Sequence, residues 1–314
     1  MTDQNVAAEP HQMPVWGGPL LVFLGGASVG LAPIGLRYGL DDLGPQAIAF
    51  WRYTFAVPLL FLLVLGVKRT LPARPNPAVI IAGICFALEI GFWHWGLTYT
   101  SVASATFLVN LGNIGVGLTA WVILKERPSS IWAIAAVIAL IGAAGLSLGG
   151  GPGNSQAHPM SLRGDLLSLF AALILSGYIV ASKVARRTLD GLDAIFWLTL
   201  VECLVAGLLV VIFGEAFLPA DLSGFAVPLF LAIFVQIVGQ GLIILGLGHT
   251  PTSIAGILIV VQPVVAAILS WHLFGEWLTV LQLSGCGLIL FAIILAQTRR
   301  RTPMKAVTKY GSIR

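Results

Sequence analysis

A few residues in this chain are of a type that could do chemistry inside a membrane. Arg52, Glu89, His94 and Glu202 lie within otherwise apolar stretches. An ionisable side chain there costs roughly 2.5–3.5 kcal/mol on insertion scales. Glu89 is near the middle of its stretch and, at helical spacing, shares a face with Phe86, Phe92, Trp93 and Gly96. A carboxylate beside an aromatic wall suits a ligand with an ammonium group and an apolar body, through charge pairing and cation–π attraction. The competing reading of Glu89 is a structural ion pair, or a protonated acid held by hydrogen bonds. His94 falls on another side of the same helix and reads as a packing residue. Arg52 and Glu202 are 150 positions apart. They can bridge two halves of the molecule, form two poles for a zwitterion, or each pair locally. Local pairing is the simplest expectation.

Uncharged polar residues gather in matching places. Gln236 and Gln240 are one helical turn apart, and the offset of 150 sets them opposite Phe86 and Ile90. Asn110, Asn113, Tyr178 and Gln262 add donors and acceptors in neighbouring stretches. Any of them could merely tie helices together, at about 0.6 kcal/mol each. Their convergence on corresponding stretches is what suggests a cavity. The candidate substrate-binding set is therefore Glu89, Phe86, Trp93, Asn110, Asn113, Tyr178, Gln236, Gln240 and Gln262, with Arg52, Glu202 and His94 as charge-pair or coupling candidates. Nothing in the sequence has metal-ligand spacing or the surroundings of a catalytic nucleophile. Cys85, Cys203 and Cys286 are far apart and read as small buried apolar residues. No catalytic residue, metal or cofactor is expected, and an intramembrane enzyme is a remote alternative.

The elements that must position these residues are apolar helices. Hydrophobic residues make up 58% of the 314 and charged residues 10%, against about 25% charged in soluble domains. Ten spans are expected, near 16–36, 45–66, 78–98, 102–123, 130–149, 165–186, 192–214, 226–247, 252–274 and 277–297, each about the length that crosses 30 Å of hydrocarbon. Pro33, Pro58 and Pro263 fall within spans and should kink them. The glycines among 112–117 could soften the fourth helix. Gly149 to Gly153 reads as a flexible linker rather than a phosphate loop, since no Lys-Ser/Thr follows.

The chain repeats itself. Gly96, Leu97, Thr100, Ala105, Leu108, Trp121 and Glu126 recur without a gap as Gly246, Leu247, Thr250, Ala255, Leu258, Trp271 and Glu276. Five is odd, so two five-span halves must be inverted relative to one another, as in secondary transporters with a site between the halves. The expected organisation is a tail at 1–15, a first half at 16–149, a linker at 150–164, a second half at 165–297 and a basic tail at 298–314. With the N-terminus cytoplasmic, inside loops and tail hold 14 of the 17 Lys and Arg residues and outside loops hold only Arg37 and Arg163. Both termini are therefore expected in the cytoplasm. The polar start carries Asp3 and Glu9 and no basic flank, so the first span should be retained. A net charge of +4 fits lipid headgroups better than nucleic acid. The partners expected are the bilayer and a small-molecule substrate, with a homodimer left open.

The run Gly96-Leu97-Thr98-Tyr99-Thr100-Ser101-Val102-Ala103-Ser104-Ala105 leading to Lys125-Glu126-Arg127, with the second copy ending Phe274-Gly275-Glu276, resembles the EamA-domain proteins of the drug/metabolite transporter superfamily. Arg52 matches an arginine that family carries in its second helix. The likeness spans about residues 16–297. Asn113 stands where such proteins often have proline, as this chain does at Pro263. Within the superfamily the chain looks most like the YddG-type amino-acid exporters. That resemblance implies ten helices, alternating access and outward movement of amino acids from the inner membrane, with a multidrug or other metabolite carrier as the alternative.

Overall fold

In the computed structural model, the described residues are 16–112, 114–115, 119, 130–148, 161–247, 258–259 and 261–297. Among them every regular element is a helix. The order is α1 (Gly17–Val29), α2 (Ala32–Gly39), α3 (Pro45–Lys68), α4 (Pro77–Leu97), α5 (Val102–Asn110), α6 (Ser130–Leu148), α7 (Ser161–Ala185) and α8 (Gly191–Phe213). A 3₁₀ turn (Leu222–Phe225), α9 (Ala226–Phe230), a π-helix (Leu231–Gln240), α10 (Gly241–Leu247), α11 (Val261–Phe274) and α12 (Val280–Gln297) follow. Six helical segments are long and apolar enough to cross a membrane: Gly17–Gly39, Pro45–Lys68, Pro77–Leu97, Ser161–Ser182, Gly191–Phe213 and Leu222–Gly246. Three shorter apolar helices accompany them, at Ser130–Gly145, Val261–Phe274 and Val280–Leu295. The fourth expected span begins at α5. Most of its second half, residues 150–160 of the expected linker and both tails lie outside the described residues, and the end of that linker, from Ser161, is already the first turn of α7.

Local chemistry explains most boundaries. The first span breaks between Val29 and Ala32, where Pro33 lacks the N–H that would continue the ladder. Pro58, by contrast, lies inside an unbroken helix. Asn76 caps α4 by accepting from the Val79 amide at 2.8 Å, and Ser101 caps α5 by accepting from Ser104 at 3.1 Å. Asp190 caps α8 through the amides of Leu192 and Asp193. Gly214 ends α8 in the left-handed region, with φ of 66°.

The helices pair across the two halves of the sequence. α3 lies along α8, α4 along α7, α1 along the π-helix and α10, α5 against α11, and α6 along α12. The offset of 150 converts this set of pairs into itself. Small residues permit the closest approaches. A β-carbon on Gly164 would lie 2.7 Å from the Gly96 carbonyl oxygen, and one on Gly246 would lie 2.7 Å from that of Gly18. Gly96 and Gly246, repeat partners in sequence, thus serve the same purpose at the α4–α7 and α1–α10 crossings. The perimeter is apolar and exposed, with Leu62, Ile81, Leu140, Leu204 and Val211 all over half exposed. Such a belt suits lipid rather than water.

Candidate functional site

The polar centre of the molecule forms where α3, α8 and the π-helix meet. Arg52 Nη2 on α3 donates to Gln236 Oε1 at 2.7 Å. The amide nitrogen of Gln236 donates to Glu202 Oε2 at 3.0 Å and to Thr199 Oγ1 at 2.8 Å, both on α8. One glutamine thus shows its carbonyl to a cation and its NH₂ group to an anion, which is the pairing each charge requires. Arg52, Gln236 and Glu202 are each 2% exposed or less. The expectation of separate local pairs for Arg52 and Glu202 is corrected: Gln236 joins them across the two halves.

Gln236 makes these bonds from within the π-helix. Its wider turn lies where the backbones of two helices touch, since a β-carbon on Gly25 would be 2.7 Å from the Gly239 oxygen. π segments of this kind frequently mark functional sites. Gln240 follows one turn later and is half-buried.

Glu89 on α4 is 4% exposed and lies within electrostatic reach of both Arg52 and Glu202. Phe86 stands one turn away, its ring 4.6 Å from that of Tyr178 on α7. Phe86, Trp93 and Tyr53 belong to one buried apolar cluster, against which Tyr178 packs. Several buried polar atoms in this neighbourhood have no hydrogen-bond partner among the described residues: Arg52 Nε and Nη1, Tyr53 OH, Glu89 Oε2 and Trp93 Nε1. Groups of this kind cost about 1–3 kcal/mol each when unsatisfied. Together they present cationic, anionic and neutral hydrogen-bonding capacity within one low-dielectric region.

The remaining candidates are more dispersed. His94 is fully buried and its Nδ1 lies 3.0 Å from the Pro45 carbonyl oxygen, a contact that ties α4 to the start of α3. Asn110 is buried and donates to the Thr106 carbonyl oxygen of its own helix at 2.8 Å. Gln262 is half-buried, with its backbone oxygen beside Gly30. Asn113 lies outside the described residues. Among the described residues no three His, Cys, Asp or Glu side chains converge as metal ligands.

Two groups were missed by sequence reasoning. Tyr53 and Thr199 join the cluster beside Arg52 and one turn before Glu202, so helical spacing around the two charges would have found them. The second is a polar knot at the other end of α5. Arg37 Nη2 lies 3.2 Å from Glu276 Oε1, and the Val102 amide donates to Glu276 Oε2 at 3.1 Å. The signal was available, because the offset that pairs Glu126 with Glu276 also pairs Arg37 with Arg187.

With this geometry in view, the relatives are informative. The EamA-like transporter family matches residues 16–148 and again 162–298. The chain belongs to that family. It is similar to the uncharacterized transporter YwfM of Bacillus subtilis (strain 168), at 24% identity over 75% of this chain and 78% of that protein. An uncharacterized transporter of Archaeoglobus fulgidus is 26% identical over 86% of this chain and 95% of its own length. A solved crystal structure superposes with a TM-score of 0.64 at 18% identity, covering 89% of this chain and 96% of that one, which shows a shared fold.

Proposed function

We propose that the chain is a ten-span secondary transporter that exports small metabolites, amino acids first among them, by alternating access. The observation that carries this reading is the buried bipolar cluster joining the two halves. Arg52 and Glu89 offer one cationic and one anionic pole in a single neighbourhood, each with a polar atom that no described residue satisfies. A zwitterion has the complementary pair of charges. In this account Arg52 takes the substrate carboxylate and Glu89 its ammonium group. Phe86, Trp93 and Tyr178 line the path of the side chain, and Gln236 holds Arg52 and Glu202 in register. Gln240, Asn110 and Gln262 line the route above and below.

The reading has the two halves as inverted copies, 16–149 and 165–297, rocking about the cluster. Self-consistent helix pairing under the 150-residue offset supports this arrangement. The 14-to-2 distribution of basic residues supports a cytoplasmic-membrane location with both termini inside. A multidrug carrier is the second reading, favoured by the aromatic rings around Glu89, which would take a lipophilic cation. Reconstitution into proteoliposomes with labelled amino acids, amines and sugars at controlled pH gradients separates the two. Saturable counterflow of an amino acid supports the first reading, and counterflow of amines alone supports the second.

A further inference from the structure

Glu276 holds three spans together at one end of the molecule. It follows α11, in the second half of the sequence. One carboxylate oxygen pairs with Arg37 at the end of α2, and the other accepts the Val102 amide at the start of α5, both in the first half. The first N–H groups of a helix have no partner within it and carry the positive end of its dipole. α5 thus has its opening turn capped by a carboxylate from the other half as well as by its own Ser101. The knot is sheltered. The Glu276 side chain is 9% exposed, Arg37 lies 5.7 Å over the Phe274 ring, and Tyr38 packs on Phe274 at 5.2 Å. Beside it opens a cavity of about 560 Å³, lined in part by Arg37, Asp41, Asp42, Pro45 and Thr98.

We infer that Glu276 is the pin of a gate on this side of the membrane, binding the start of α5 to the end of α11 and releasing them when the central cluster opens toward the neighbouring cavity. α5 and α11 face each other from opposite halves. A path from the cluster to this side must part them, and the Glu276 contacts are what join their ends. The interaction is switchable because both carboxylate partners, the Arg37 guanidinium and the Val102 amide, lie where water can replace Glu276 once the cavity extends inward. The sequence holds the same elements in its other half, at Glu126 and Arg187. Glu126 is outside the described residues, and the inference rests on the Glu276 set alone. It also rests on the alternating-access reading, but not on the identity of the substrate.

The test is accessibility. In a background with Cys85, Cys203 and Cys286 replaced by alanine, Thr106→Cys on the buried face of α5 reports entry of an impermeant thiol reagent from outside intact cells. Glu276→Gln keeps an acceptor for the amide and removes the charge from Arg37. Arg37→Gln removes the same pair from its other side and leaves the α5 cap in place. Glu276→Ala removes both. Each of the glutamine variants should raise the labelling rate about five-fold, the factor that corresponds to about 1 kcal/mol, and Glu276→Ala should raise it further. Size-exclusion profiles in detergent establish that the labelled protein is folded. Folded Arg37→Gln and Glu276→Gln proteins that label at the parent rate would overturn the gate and leave Glu276 as packing. Raised labelling in a protein that transports no amino acid would keep the gate and reject the substrate reading.

Discussion

Gln236 is the residue that joins the buried charges of Arg52 and Glu202, and Glu89 is the one most open to test. A buried carboxylate within reach of one cation and one other anion is costly unless something else engages it. Glu89→Gln keeps the shape and removes the charge. If Glu89 takes the ammonium group, the variant should fold and express normally while its apparent affinity for zwitterions falls roughly 10-fold or more, as losing a hydrogen bond to a charged group predicts. A proton carrier would instead keep exchange and lose its dependence on the pH gradient. Unchanged affinity, rate and pH dependence in folded protein would remove Glu89 from the site. Arg52, Glu89 and Glu202 were legible in the sequence because a charge in an apolar stretch stands out at once. Their connection was not. It depends on Gln236, which bonds to α3 and α8 from a π-helical segment that an ordinary helical period does not reveal.

At the scale of elements, the glycines set the distances. Gly164→Val should disrupt the α4–α7 crossing, because the new side chain meets the Gly96 backbone rather than a movable side chain. The expected result is a large loss of folded protein by fluorescence-detected size exclusion. Gly66→Ala, with open space around it, should be tolerated. Helix ends carry a second expectation. Lys68 at the end of α3 pairs with Asp190 and Asp193 at the start of α8, the latter at 2.5 Å. Partial burial works to raise the Asp190 pKa, but the Lys68 ammonium and the helix amides prevail and hold it below the ordinary value. A depressed carboxylate pKa contributes stability that is complete above the unfolded value, about 3.9, and lost as pH falls through the folded one. Asp190→Asn should therefore lower the thermal stability of detergent-solubilised protein at pH 7, by an exposed pair's worth of up to about 1 kcal/mol. The difference from the parent should shrink below pH 4, and a difference constant with pH would contradict the linkage. The limits of the six long spans came through from hydropathy to within a few residues. The break at Pro33 came through as well, whereas the unbroken passage through Pro58 did not, because it depends on neighbours that a single sequence does not specify.

At the scale of the whole molecule, the repeat was the most legible feature, since Gly96 and Gly246 make equivalent helix crossings. The knot at Glu276 was half visible, as one member of a repeated pair whose arginine partner went unread. Topology has a direct check in intact cells without native cysteines. Cysteine at position 72 or 305 should be protected from an impermeant reagent and cysteine at position 156 should label; the reverse pattern would invert the orientation. The central claim is that the cross-half cluster recognises both charges of a zwitterion, and counterflow in proteoliposomes measures this most directly. Protein preloaded with an unlabelled amino acid should accumulate the labelled one saturably. The matching amine, which lacks the carboxylate for Arg52, and the matching acid, which lacks the ammonium group for Glu89, should each compete at least about 10-fold more weakly than the parent, the factor for about 1.4 kcal/mol. An amine or an acid that competes as well as the intact amino acid, or folded protein that exchanges no amino acid at all, would contradict it.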